Sequence, residues 1–190
     1  MLIPVNPQGE PLPVGQWSRV LMGEQFYAKT TELNQPTLHK NPLPIAQGEI
    51  RVREKTGNND GERVEEYLAC VDLKKGQPYC AAFVSWVFKQ AGYASPRTGW
   101  SPSLFPTSRL VAVAMPGNVL GIYFPALNRI AHCGFVEKVN GDLITSIEGN
   151  TDGSGGREGD GVYRRIRNRK SIRYYADWVT PIGQLKKGKS

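Results

Sequence analysis

Histidine and cysteine are scarce in this chain, and the scarcity narrows its chemistry. Its 190 residues hold two histidines, His39 and His132, and three cysteines, Cys70, Cys80 and Cys133. An odd number of widely spaced cysteines argues against a disulfide framework and against a zinc site with paired ligands. Any imidazole chemistry must use one of two residues. No apolar run approaches the length of a membrane span. The first residues, Met1-Leu2-Ile3-Pro4-Val5-Asn6-Pro7, carry neither a basic n-region nor an apolar h-region, so no Sec signal is expected. There is no internal repeat.

What is present reads as an ordinary globular composition, 39% hydrophobic and 22% charged, and the length suits one domain with a real core. The net charge is +7. It is concentrated late in the chain, in Arg157, Arg164, Arg165, Arg167, Arg169, Lys170 and Arg173 and in the tail lysines Lys186, Lys187 and Lys189. A local basic stretch suits an anionic partner such as cell wall, an acidic protein or nucleic acid, or else a solvated strand face.

Residues 1–44 carry seven of the fourteen prolines and no sustained period, which predicts a proline-rich N-terminal arm or linker. The compact domain is expected over 45–180, with 181–190 as a basic tail. Ile45 to Val52 suggests a short helix. Asp60 is positioned to cap a helix over 62–70, and its glutamates Glu65 and Glu66 read as a solvated face. Residues 93–116 are irregular and contain Trp100, the pattern of a cleft wall or lid. From Val119 the pattern turns to strands, around 119–124, 131–139, 142–148 and 162–167. Helices first and an antiparallel meander afterwards predict an α+β fold.

Two local patterns carry chemistry. Cys80 opens an apolar stripe at positions 80, 83, 84, 87, 88 and 91, which ends at Gly92. A thiol in a helix's first turn faces unpaired N–H groups and the positive end of the dipole, and both favour thiolate. A buried packing thiol is the plainer alternative. The second pattern is Asn140-Gly141, a type I′ hairpin signal. A turn there sets His132 near Gly149, beside Glu148 and Asn150. Cross-strand neighbours lie about 5 Å apart, so either polar side chain can orient the imidazole. Cys80, His132 and Glu148 or Asn150 thus supply a nucleophile, a base and an orienting group. The backbone N–H of Cys80 is one oxyanion donor, with Asn58, Asn59, Gln77 or Tyr79 as candidates for a second. Trp86 reads as core. Cys70 reads as packing, and Cys133 as core because alternation puts it on the strand face opposite His132.

The ordered segments Pro78-Tyr79-Cys80-Ala81-Ala82-Phe83-Val84-Ser85-Trp86, Pro116-Gly117-Asn118, Ala131-His132-Cys133-Gly134-Phe135-Val136 and Ile147-Glu148-Gly149-Asn150 resemble those of CHAP-domain amidases and peptidases, relatives of the NlpC/P60 superfamily. The resemblance covers about residues 45–179. It implies a papain-like α+β fold with N-terminal helices packed on an antiparallel sheet. It further implies cleavage of amide bonds in peptidoglycan, as an endopeptidase or an N-acetylmuramoyl-L-alanine amidase. Cys80 would be the nucleophile, His132 the base and Glu148 the orienting residue, with Asn150 completing the site. Tyr79, Asn59 and Trp100 are candidate substrate-binding residues. The chain departs from the family pattern at Asn118, where Asp is common, and at Cys133, where an aliphatic residue is usual. No Asp-rich calcium loop precedes Cys80, so neither a metal nor a cofactor is expected. The implied substrate partner is peptidoglycan, with an inhibitor or immunity protein if the chain is an effector; nucleic acid is disfavoured. Such an enzyme would be made in the cytoplasm and reach the wall in phage-associated form or by injection or another non-Sec route. The rival reading is a non-catalytic papain-fold module that binds wall or another anionic polymer through the basic C-terminal face. A protease or acyltransferase acting on other amides with the same three residues is a further alternative.

Overall fold

Three helices precede six strands in a computed structural model that describes residues 39–154 and 158–185. These belong to one unit, His39–Ser190. Most of the expected N-terminal arm (residues 1–38), part of the glycine-rich loop (155–157) and the tail lysines (186–190) lie outside the described residues.

Helix α1 is Pro42–Gly48. It starts three residues before the apolar Ile45 because Asn41 caps it, accepting a hydrogen bond from Leu43 N at 3.0 Å, and Pro42 fits the first turn. Helix α2 is Glu62–Ala69. Asp60 does not cap it. The N-cap is Gly61 at φ 103°, and the Gly61 N–H donates to Glu65 Oε1 at 3.2 Å. Asp60 is instead buried, accepting from Thr56 N at 2.8 Å and Thr56 Oγ1 at 2.9 Å, with Lys75 at 3.5 Å. It ties the polar 55–60 loop together rather than ending the helix.

Helix α3, Cys80–Gln90, is the central element. The sequence stripe implies one buried face, yet residues 80–88 are all buried. On one side lie Tyr67 of α2, with Phe83 and Trp86 edge-on to its ring. On another, Ser85 is covered by the irregular segment after the helix. Its hydroxyl donates to Thr98 O and accepts from Thr98 N, each at 2.9 Å, while Arg97 donates to Ser85 O. One buried hydroxyl with both partners satisfied costs little, so a polar position sits inside the core.

The strands are β1 (Leu110–Val111), β2 (Val119–Phe124), β3 (Arg129–Asn140), β4 (Leu143–Thr151), β5 (Gly161–Asn168) and β6 (Tyr174–Ala176). They form one antiparallel sheet in the order β1-β6-β2-β3-β4-β5. The fold is therefore α+β. Val119, Cys133, Phe135, Ile147, Val162 and Ala176 join the helices in the main core, and a smaller cluster around Leu120, Val136 and Ile144 covers the other face.

The β3–β4 turn differs in detail from the sequence reading. Asn140 pairs with Leu143, so the two loop residues are Gly141 and Asp142. Only Gly141 takes a positive φ, 57°, the pattern of a type II′ turn. A bulge at Glu137 then shifts the register by one, and Phe135 pairs with Ile147.

Gly149 lets the sheet approach α3 closely. A Cβ on Gly149 would lie 2.9 Å from Phe83 Cβ and Cγ of α3. Gly149→Ala should therefore destabilise the protein by about 1–3 kcal/mol, the usual range for core overpacking. Gly153→Ala, with nothing within 4 Å, should be near neutral. Urea unfolding of both variants checks this contrast.

Candidate active site

Cys80 is the first residue of α3, after Tyr79 and Pro78 fix the approach of the chain. Its thiol is 4% exposed and lines a cavity of about 390 Å³ with Gln77, Trp100, Ser101, Arg129 and Ala131. The Ser101 hydroxyl lies 3.3 Å from Cys80 Sγ. Ser101 stands at the start of a 3-10 turn, Ser101–Leu104, in the irregular segment that covers α3.

His132 is in β3, directly after a bulge: Ile122 pairs with His132 but Tyr123 pairs with Ile130, leaving Ala131 extra. Bulges re-aim side chains, and here Ala131 opens onto the Cys80 cavity. His132 is 1% exposed. Its Nε2 donates to Glu148 Oε2 at 2.8 Å, since an ionised carboxylate only accepts. Its Nδ1 has no conventional hydrogen-bond partner. That side of the ring is close enough to Cys80 for each group to shift the other's titration.

Glu148 reaches His132 because Gly134 intervenes without a side chain. A Cβ there would be 2.5 Å from Glu148 Cγ and 2.6 Å from Ile147 O. Glu148 has no exposure to solvent and accepts four hydrogen bonds. Besides His132, Arg167 Nε donates to Oε1 at 2.9 Å and Arg167 Nη2 to Oε2 at 2.5 Å, and Ser146 Oγ donates to Oε1 at 2.5 Å. Arg167, on β5, is itself only 15% exposed. Forked guanidinium–carboxylate geometry is the strongest form of such a contact.

The charges follow from these contacts. Burial alone would raise the Glu148 carboxyl, but Arg167 and His132 outweigh it and hold it well below the usual carboxylate range. Burial opposes charge on His132, yet contact with Cys80 and Glu148 raises it to about 9. The Cys80 thiol is driven well down, first by hydrogen bonding with Cys133 and then, against burial, by His132. The site thus favours a thiolate–imidazolium pair, whose protons belong to the pair as a unit.

Cys133 lies in the main core, fully buried. It is also part of the thiol's surroundings, with its Sγ 4.0 Å from Ser101 Oγ, and burial together with the Cys80 charge pushes its own thiol up. Strand alternation reads a face but not what the neighbouring helix brings to it.

Of the other sequence candidates, Gln77 and Trp100 line the Cys80 cavity, while Asn150 and Asn59 line a different one. Asn150 takes φ 57° at a β4 bulge, where the pairing with β5 skips from Glu148 to Thr151. Its buried amide has no partner and lines a second cavity with Glu54 and Asn59 rather than meeting His132. Asn59 donates its backbone N–H to Glu54 Oε2 at 2.8 Å. Tyr79 is buried, packed on Tyr67 at 6.0 Å between ring centroids. Trp100, 53% exposed, stands at the Cys80 cavity. Sequence reasoning missed Ser101, Ser146 and Arg167. Arg167 carried one signal, its place on a strand that can pair with the strand holding Glu148. No group of three or more His, Cys, Asp or Glu suited to a metal occurs among the described residues.

Two outcomes follow. Iodoacetamide should label Cys80 at a rate already on its plateau well below pH 8.5, the ordinary thiol value. His132→Ala should move the acid limb of that profile up towards 8.5. In the native protein the rate should change again near pH 9, where the imidazolium is lost. Arg167→Leu should cost about 3–5 kcal/mol at pH 7, because it strands a buried carboxylate. A depressed acid contributes stability above its unfolded value of about 4.3. The cost should therefore shrink at pH 4, where the stranded carboxyl of the variant takes up a proton; paired urea titrations at the two pH values measure this.

No family model matches the chain, and no curated protein matches it. Among solved structures it is similar to the crystal structure of Ly7917, at 16% identity and a TM-score of 0.41, over 71% of this chain and 59% of that one. It is also similar to the crystal structure of Ly7917 with the hydrolyzing product of MDP, at 21% identity and a TM-score of 0.34, over 50% and 52%. The chain therefore spans less than two thirds of the length of either, and both likenesses are distant.

Proposed function

We propose that this chain is a cysteine hydrolase with a papain-like fold that cleaves amide bonds in bacterial peptidoglycan. The observation that carries the reading is the linked set Cys80, His132, Glu148 and Arg167: a thiol at a helix N-terminus, an imidazole raised to about 9, and a carboxylate fixed from behind. The wall as substrate rests on the resemblance to CHAP and NlpC/P60 enzymes in the segments around Cys80, His132 and Glu148.

In this reading the Cys80 thiolate attacks the amide carbonyl carbon. The tetrahedral oxyanion receives the Cys80 backbone N–H. The His132 imidazolium then gives its proton to the leaving amine as the C–N bond breaks, which leaves a thioester. Neutral His132 takes a proton from water, the hydroxide attacks the thioester, and the acid product leaves as the thiolate and imidazolium re-form. Glu148 keeps Nε2 protonated, so that Nδ1 faces the thiol, and Arg167 keeps Glu148 ionised. The product is that of an endopeptidase or of an amidase at the glycan–peptide bond.

The rival, a binding module using the basic face, is less favoured because three of its arginines are already engaged. Arg164 donates to Glu137 at 2.6 and 2.8 Å, Arg165 donates to Gly153 O, and Arg167 is consumed by Glu148. Incubating purified sacculi of several wall chemotypes with the native protein and with Cys80→Ala tests the proposal. Soluble fragments should appear with the native protein, and mass spectrometry of them should show one newly freed amine per cut. The variant should release at least about a thousand-fold less, the usual scale of a lost nucleophile. No release by the native protein from any chemotype would overturn the reading.

A further inference from the structure

The cavity beside Cys80 is lined by one cationic side chain, Arg129, and by no carboxylate. Arg129 opens β3, three residues before His132. Its guanidinium carbon sits 4.1 Å from the centroid of the Trp100 ring, and its Nη1 donates to Ile130 O at 3.1 Å. Stacking on an indole face and one bond to its own strand hold the fork in place. It has no carboxylate partner among the described residues, unlike Arg63, Arg164 and Arg167, which all pair with glutamates. Trp100 is anchored in turn. Its backbone N–H donates to Thr98 Oγ1 at 3.0 Å, and Thr98 is bound to Ser85 inside α3, one and a half turns beyond Cys80. The helix that carries the thiol also fixes the aromatic that carries the cation.

A preorganised, unneutralised guanidinium in the same cavity as a nucleophile is suited to an anion on the group being attacked. Forked N–H donors match a carboxylate in two-point geometry, and an exposed indole beside it offers a flat apolar wall to the adjoining chain. We propose that Arg129, held against Trp100, binds a substrate carboxylate next to the scissile amide, so that the preferred substrates are peptides bearing a free carboxylate near the bond cut. This rests on Cys80 being the nucleophile, as in the reading above, and it adds the charge of the substrate. In peptidoglycan it favours stem peptides with a free α-carboxylate over those amidated there.

The test has two arms. The first needs no hydrolysis: Cys80 is alkylated with iodoacetate, an anion, and with iodoacetamide, its neutral analogue, and the ratio of the two rates is taken. The ratio should fall about three- to five-fold in Arg129→Gln, the size of one partly exposed charge pair, and should recover largely in Arg129→Lys. The recovery in the lysine variant, together with an unchanged iodoacetamide rate, separates lost charge from misfolding. The second arm compares a stem peptide carrying a free α-carboxylate with the same peptide amidated there. The native enzyme should prefer the free acid through KM, and Arg129→Gln should abolish the preference. If both reagents label Cys80 and the ratio is unchanged by Arg129→Gln, the proposal is overturned while the thiol remains nucleophilic. If neither reagent labels Cys80, the nucleophile assignment fails and the carboxylate subsite fails with it.

Discussion

Glu148 is a carboxylate with no exposure to water, and much of the protein is arranged to keep it charged. An isolated ionised acid in such a place would take up a proton, because burial disfavours the charged form. Here Arg167 donates twice from β5, Ser146 once from β4, the strand of Glu148 itself, and His132 once from β3. Three elements of the sheet therefore meet at one side chain. The absent side chain at Gly134 is part of the same arrangement, since the space beside its Cα is filled by Glu148 itself.

From that fixed charge the rest of the site follows in sequence. An ionised Glu148 makes Nε2 of His132 a donor and, against burial and together with Cys80, raises the imidazole to about 9. A charged imidazole favours the thiolate at Cys80, which the first turn of α3 also favours. Burial, and then the Cys80 thiolate, raise the thiol of Cys133, the residue after His132 in β3. The helix contributes rigidity as well. It is buried along Cys80–Phe88, and Gly149 lets β4 approach it closely. Cys80 and Glu148 thus hang from two elements that cannot move apart without opening the core.

The surroundings of the thiol are assembled from long-range partners. Ser101 and Trp100 come from the irregular segment after α3, Arg129 and Ala131 from the start of β3, and Gln77 from the turn before the helix. Part of the basic character that composition assigns to the C-terminal part of the chain is engaged within the fold. Arg164 neutralises Glu137, and Arg167 belongs to the site. Net charge and local charge density are sequence properties, but whether a cation faces solvent depends on which acids the sheet brings opposite it.

The sequence alone determined the α+β class, the helix that opens at Cys80, the hairpin that brings His132 and Glu148 to adjacent strands, and the small number of candidate groups. Those are local matters of period, turn residue and count, and they depend on neighbours a few positions apart. Even there the detail shifted: the turn centres on Gly141-Asp142, and bulges at Ala131 and Glu137 alter the alternation that a strand pattern assumes. Only the tertiary structure chose Glu148 over Asn150 as the contact of His132, because a left-handed backbone at Asn150 turns its amide into another cavity. Only it put Arg167 behind Glu148 and Ser101 and Cys133 beside Cys80. Side chains that meet across 19 to 53 positions leave no periodic trace, and a buried arginine has the same letter as a solvated one.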